Sequence, residues 1–279
     1  MNKMKPQKDQ SILLVADLVG YGNLALTVMM PILTHLKYKV YNLPTSLISN
    51  NFCYGHFGVL DTTDYIQETI RIWESLDFSV DAVCTGYLVS EKQAQLVAQY
   101  CQKLKAKGTQ IYVDPVMADN GKLYNGATQH TVDYMRKVCA VADVICPNFT
   151  EAKFLANKYI GKNSLNVEEA EDLLCVLHGL GAESVVITSM MMDNKPCTMI
   201  YNGQTHRSKV LEYDIIPAQF SGTGDLFSSL LIGKHQQGET LEKSVQVAMD
   251  FVYQMIRLNQ TMENKDNGIP IEQYLDLIP

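Results

Sequence analysis

An α/β fold built on a mostly parallel sheet, with helices on both faces, follows from three features of the sequence. The short, wholly apolar run 12–16, with the mostly apolar runs 82–85 and 110–113, has the length and composition of strands buried on both faces. Segments with helical spacing separate them, and alternation of this kind builds a parallel sheet. After Pro196 the alternation gives way to two strand-like runs, 197–201 and 205–211. Joined by Asn202-Gly203-Gln204, they predict an antiparallel hairpin.

The elements follow in order. The strand over 12–16 empties into Asp17 and a glycine-containing loop, 17–23. The spacing of 24–36 predicts a helix, with Pro31 a cost inside it. A strand over 38–43 leads to a long loop, 44–60, rich in Ser, Asn and aromatic residues. Loops of that length in compact folds are usually functional or mobile. Asp61-Thr62-Thr63-Asp64 reads as the cap of a helix running to Leu76. Then come a strand (82–85), a helix (91–107) ended by Gly108, a strand (110–113), a helix (129–141) and a strand (143–146). Helices opening at Asn148 and spanning 167–180 precede a strand over 184–189, and a helix over 241–258 with a short helical piece closes the chain. No repeat, low-complexity tract or linker interrupts the pattern, so the expectation is one domain over 1–279.

Composition narrows the partners. The chain of 279 residues is 47% hydrophobic and 19% charged, as an ordinary soluble protein is. A net charge of −7 argues against nucleic acid or an anionic membrane as the main partner. An anionic substrate must then be held by a local feature or a metal ion. Seven cysteines, an odd number without a Cys-x-x-Cys pair, predict free thiols in a reducing cytoplasm. Lys3, Lys5 and Lys8 precede the apolar run 12–16, which is too short for a signal peptide and is interrupted by Asp17.

The stretch most suggestive of chemistry is Gly222-Thr223-Gly224-Asp225. Leu226, Phe227, Leu230, Leu231 and His235 follow at helical spacing, so a helix begins near Gly224. A Gly-Thr-Gly turn feeding a helix presents unpaired N–H groups and the positive end of the helix dipole to an anion. A carboxylate inside such a turn repels phosphate unless it transfers a proton. An anion hole beside a carboxylate base suits phosphoryl transfer to an alcohol. A plain loop with Asp in the first helical turn is the alternative.

Ligands of such sheets bind beyond the carboxyl ends of the strands. That rim collects the loops 17–23, 44–56, 114–124 and 146–151. Asp114 could orient a Mg²⁺-bound water, since Mg²⁺ retains waters and uses few carboxylates; before Pro115 it could equally initiate a turn. The glycine-centred segment 119–124 could close as a flap. Asn148 and Glu151 match a capping box, a role compatible with Glu151 lying near a nucleotide's metal. Asp17 is a substrate-facing carboxylate or a loop residue, and Thr45 and Ser49 bind substrate or stabilise turns. Tyr54 and His56 read as structural. Met190-Met191-Met192 packs in the core or lines an adenine pocket.

In order along the chain, 42–51 (Asn-Leu-Pro-Thr-Ser-Leu-Ile-Ser-Asn-Asn), Thr85-Gly86-Tyr87-Leu88, Asp114-Pro115-Val116-Met117, Pro147-Asn148-Phe149-Thr150-Glu151 and Gly222-Thr223-Gly224-Asp225 resemble the ribokinase-like superfamily, in its pyridoxal kinase and hydroxymethylpyrimidine kinase branch. The resemblance spans nearly the whole chain. It implies a three-layer sandwich, ATP and Mg²⁺ use, and often a homodimer. It implies phosphorylation of the 5′-hydroxyl of a vitamin B6 vitamer, with Asp225 as base and Gly222, Thr223 and Gly224 as anion hole. Asn148, Thr188, Gly222 and Gly224 would contact ATP, Asp114 and Glu151 the metal, and Asp17, Thr45 and Tyr87 the vitamer. Two positions depart from the pattern: Ala16-Asp17 stands where many pyridoxal kinases carry Ser-His, and Asn51 where they commonly carry His. The pyrimidine branch places Cys where Asp225 stands, so Asp225 favours a B6 substrate. A hydroxymethylpyrimidine kinase of thiamine synthesis, or a non-catalytic B6 or nucleotide sensor, is the alternative.

Overall fold

The computed structural model describes residues 10–279; Lys3, Lys5 and Lys8 lie outside them. The chain runs β1 (Ser11–Val15), β2 (Leu18–Val19), α1 (Leu26–His35), β3 (Lys39–Asn42), β4 (Ser46–Ile48), β5 (Val59–Asp61), α2 (Thr63–Ser75), β6 (Ala82–Thr85) and α3 (Glu91–Lys105). It continues β7 (Gln110–Val113), β8 (Ala118–Asp119), β9 (Lys122–Leu123), α4 (Gln129–Cys139), β10 (Val144–Ile145), α5 (Phe149–Ala156), α6 (Val167–His178) and β11 (Ser184–Met192). The hairpin β12 (Lys195–Asn202) and β13 (Arg207–Glu212) precedes α7 (Thr223–Gln236) and α8 (Leu241–Asn259).

Eight strands form one sheet in the order β13-β12-β11-β10-β7-β6-β1-β3. It is parallel from β3 to β11, and the expected hairpin adds two antiparallel strands at one edge. Side chains along β1 alternate between two cores, as strand geometry requires. Leu13 and Val15 join the layer of α2–α6, while Ile12 and Leu14 join that of α1, α7 and α8. The expected α/β sandwich, with a central mostly parallel sheet flanked by helices, is the observed one.

Two sequence readings change. The loop 44–60 holds β4, β5 and a 3₁₀ turn at Phe52–Tyr54, and with β2 it forms a second, three-stranded sheet. Leu47 and Leu60 are exposed while Ser46 is buried, so the apolar-in, polar-out alternation that marks a strand in sequence is lost there. The strand expected over 184–189 runs on to Met192, because a bulge between Ile187 and Met190 absorbs Thr188 and Ser189 without ending the pairing. The expected cap at 61–64 is present, with Asp61 Oδ1 accepting from Thr63 N at 2.8 Å.

The chain leaves β1 for β3 on one side and returns to β6 on the other, so the sheet reverses its strand order at β1. Such a reversal opens a crevice at the carboxyl ends of the strands. The rim there is laced by backbone hydrogen bonds: Gly86 N to Val15 O, Asp114 N to Thr85 O, Cys146 N to Val113 O and Thr188 N to Pro147 O.

Candidate active site

Gly222 caps α7 with φ 80°, a left-handed conformation that glycine tolerates. A Cβ there would stand 2.6 Å from the Asn23 carbonyl oxygen, so no other residue fits. The N–H groups of Thr223, Gly224 and Asp225 occupy the first turn, where helix geometry offers them no partner. The first intrahelical bond is Leu226 N to Gly222 O, at 3.0 Å. A turn of this geometry offers free donors to an anion.

Asp225 lies in that turn with its Oδ2 accepting from Ala25 N at 2.8 Å. Burial pushes its carboxyl up to about 6, against the pull of the Ala25 N–H. Ala25 itself has φ 46°, a conformation that costs a non-glycine residue energy and that is held here by its bond to Asp225.

Asp114, Asn148, Glu151, Thr188, Gly222, Gly224 and Asp225 all line one polar cavity of 130 Å³. Asp114 follows β7 and accepts from Ser228 Oγ at 2.9 Å, which ties the strand end to α7. Glu151 completes the expected capping box: Oε2 accepts from Asn148 N (2.9 Å), while Oε1 accepts from Met117 N and Ala118 N (3.0 and 3.4 Å). Its oxygens are thus largely committed to backbone. Burial raises both Asp114 and Glu151; after burial, the charge of Asp225 raises Asp114 and that of Asp114 raises Glu151.

A second cavity of 370 Å³, mostly apolar, adjoins the first and shares Thr188, Gly224 and Phe227 with it. Thr223 and Met191 line it. Of the three methionines, Met190 is core. The opposite wall comes from Met249, Val252, Tyr253 and Ile256 of α8.

The remaining expected residues sit around the β1 crevice. Asp17 is 8% exposed, and burial followed by the charge of Asp225 raises its carboxyl to about 7. Thr45 is wholly buried; its hydroxyl donates to Tyr87 O at 2.7 Å, leaving only lone pairs for a ligand. The ring of Tyr87 meets Phe52 edge-on, with centroids 5.9 Å apart. Sequence reasoning missed Ser228, Ala25 and the α8 wall. Only Ser228 left a signal, one helical turn after Asp225.

A model of the phosphomethylpyrimidine kinase family matches residues 26–271. The chain belongs to that family. It is 31% identical over 265 residues to pyridoxal kinase of Dictyostelium discoideum, covering 88% of this chain and 85% of that one. A Bacteroides thetaiotaomicron crystal structure, provisionally described as a phosphomethylpyrimidine kinase and determined with pyridoxal, is 35% identical with a TM-score of 0.92. The match covers 97% of this chain and 96% of that one. Pyridoxal kinase from Lactobacillus plantarum is 26% identical with a TM-score of 0.85, covering 96% of each chain.

Among the described residues no Lys or Arg lines either cavity, although the polar one is lined by the partly buried Asp114 and Asp225 and the buried Glu151. Buried carboxylates without a cation are costly. Hard oxygen donors facing a small polar space fit Mg²⁺, which would sit mainly on Asp114 and retain waters.

Proposed function

We propose that the chain transfers the γ-phosphoryl group of ATP to the 5′-hydroxyl of a vitamin B6 vitamer. The observation that carries this reading is the carboxylate of Asp225 on the polar cavity, in the first turn of α7, where Gly224 borders both that cavity and the apolar one. The similarity to pyridoxal kinases supports the vitamer as acceptor.

In this reading the larger cavity takes the adenosine, with Thr188 and Asn148 on the side toward the phosphates. The vitamer lies in the β1 crevice near Asp17, Thr45 and Tyr87. Asp225 takes the proton of the 5′-hydroxyl as its oxygen bonds to the γ-phosphorus. The bond from that phosphorus to the β–γ bridging oxygen breaks, and ADP departs. The N–H groups of residues 223–225 face the charge that grows on the transferring and leaving oxygens, where fixed donors are most effective. Mg²⁺ on Asp114 would neutralise phosphate charge when bound. Glu151 acts mainly by fixing the 117–118 backbone. The hairpin β8–β9, pinned by Gly121 N to Thr150 Oγ1 (2.9 Å), excludes water from the phosphates.

The whole chain acts as one kinase domain in this reading, because strands drawn from 11–212 join one sheet. Seven unpaired thiols support a reducing, cytoplasmic setting. The exposed Leu47 and Leu60, paired across the small sheet, support a homodimer across that face. The test of function is ATP turnover with pyridoxal, pyridoxine, pyridoxamine and hydroxymethylpyrimidine side by side. Turnover of at least one B6 vitamer is expected; activity on the pyrimidine alone would leave only the kinase class standing.

A further inference from the structure

Asn51, one of the two positions that depart from the pyridoxal kinase pattern, joins three distant parts of the chain. It is 8% exposed, and its amide is spent on hydrogen bonds. Oδ1 accepts from Cys53 N at 3.1 Å and caps the 3₁₀ turn Phe52–Tyr54. Nδ2 donates to Ser221 Oγ at 2.8 Å and to Asp266 O at 2.6 Å. Ser221 immediately precedes Gly222, so Asn51 grips the anion-binding turn from the loop that flanks the β1 crevice.

The surrounding contacts make this grip a lever rather than an isolated bond. Ser49 N donates to Gly58 O, and Gly58 N to Ser49 Oγ, so the loop between β4 and β5 is closed at its base. At its far side Asn264 Nδ2 donates to Tyr54 OH at 2.7 Å. Ser221 N donates to Lys265 O, and Asn23 N to Asn267 O. Gly268 leaves no space at the same contact: a Cβ there would stand 2.2 Å from the Asn23 oxygen. Hydrogen bonds therefore link the vitamer-side loop, the phosphate turn and the 264–268 segment to one another.

We propose that Asn51 is a positioning residue that couples the two substrates: closing the 50–57 loop on the vitamer fixes Ser221, and with it the phosphate-binding turn. The inference rests on the B6 kinase reading. A hydrogen bond of this kind sets the size of the effect, about 3- to 10-fold in binding. By linkage, the factor by which the vitamer tightens nucleotide equals that by which nucleotide tightens vitamer.

The experiment is calorimetry of a non-hydrolysable ATP analogue, with NH in place of the β–γ bridging oxygen, in the presence of Mg²⁺. It is run with and without saturating pyridoxal on wild type, Asn51→Ala, Ser221→Ala and the double variant. In the wild type pyridoxal should tighten the analogue. In either single variant that tightening should shrink about 3- to 10-fold, and the double variant should be no worse than Asn51→Ala. A merely structural Asn51 would lower the melting temperature and leave the tightening intact. Unchanged tightening in folded Asn51→Ala, or none in the wild type, overturns the coupling; if Asn51→Ala does not fold, Ser221→Ala decides. Failure of pyridoxal to bind the wild type at all would instead sink the B6 reading, and the coupling with it.

Discussion

Replacing Asp17 by asparagine should make the unliganded protein more stable at alkaline pH. Asp17 is buried at the end of β1, and its carboxyl rises from an ordinary 3.8 to about 7, through burial first and the charge of Asp225 second. Between those two values the folded state holds a proton that the unfolded state has released. The contribution of Asp17 to stability is therefore full below pH 3.8 and is lost as pH climbs through about 7. From about pH 5 to about pH 8 this loss is about 3 kcal/mol, and from strongly acidic pH it is about 4 kcal/mol. The asparagine side chain does not titrate. Its amide brings buried donors that cost about 1–3 kcal/mol if unpaired, so the net gain at about pH 8 is about 1–3 kcal/mol. Urea unfolding of both proteins at these two pH values measures the difference. Asp114 and Asp225 titrate in both proteins and largely cancel. The advantage of Asp17→Asn should grow by about 3 kcal/mol between the two pH values. A change below about 1 kcal/mol would refute the argument that burial and the charge of Asp225 keep the Asp17 carboxyl protonated.

Asp225→Asn keeps an acceptor for Ala25 N but cannot take the alcohol's proton, so kcat should fall about 10² to 10⁴-fold while calorimetric binding of ATP and vitamer persists. With Asp225 raised to about 6, kcat/KM should decline as pH drops through that region, because the base must be ionised; a flat acid limb would count against it. Glu151→Gln turns an amide toward the Asn148 N–H, so unfolding should become easier by about 1–3 kcal/mol. Its Mg²⁺ titration of activity should stay near wild type, whereas a large rise in Mg²⁺ requirement would make Glu151 a metal ligand. Leu60→Glu should shift the protein from dimer to monomer in light scattering, and a wild type that is already monomeric would dismiss the small-sheet interface.

Legibility in the sequence followed the strength of local signals. The buried parallel strands were plain because both faces are covered, which leaves unbroken apolar runs such as Ile12-Leu13-Leu14-Val15. The Gly-Thr-Gly-Asp turn and the Asn148–Glu151 box were legible because their chemistry is local, within four residues. What escaped depended on neighbours distant in sequence. Ala25 adopts a costly backbone while Asp225, 200 residues later, accepts its N–H. The apolar cavity draws one wall from α8 and another from 213–216, and each looks alone like ordinary core or surface. Met191 and Met190 are adjacent and chemically identical, yet one lines that cavity and the other packs inside; strand direction, not residue type, separates them. The small sheet was lost because Leu47 and Leu60 face outward, against the rule that apolar residues mark the inside.

The mounting of α7 carries a consequence for how such a protein can change over evolutionary time. From Leu226 to Gly233 every residue of this helix is buried, wedged between α1 and α8. Drift there threatens folding itself, so the turn proposed to handle phosphate is protected by the same selection that preserves the core. The walls of the crevice at 17–23, 44–60 and 86–88 are loops and short strands, in which a substitution mostly alters shape and polarity. Phosphoryl chemistry is inherited nearly unaltered on such a scaffold, while the acceptor is open to revision. A family whose members take either a pyridine or a pyrimidine alcohol is the expected product of that division.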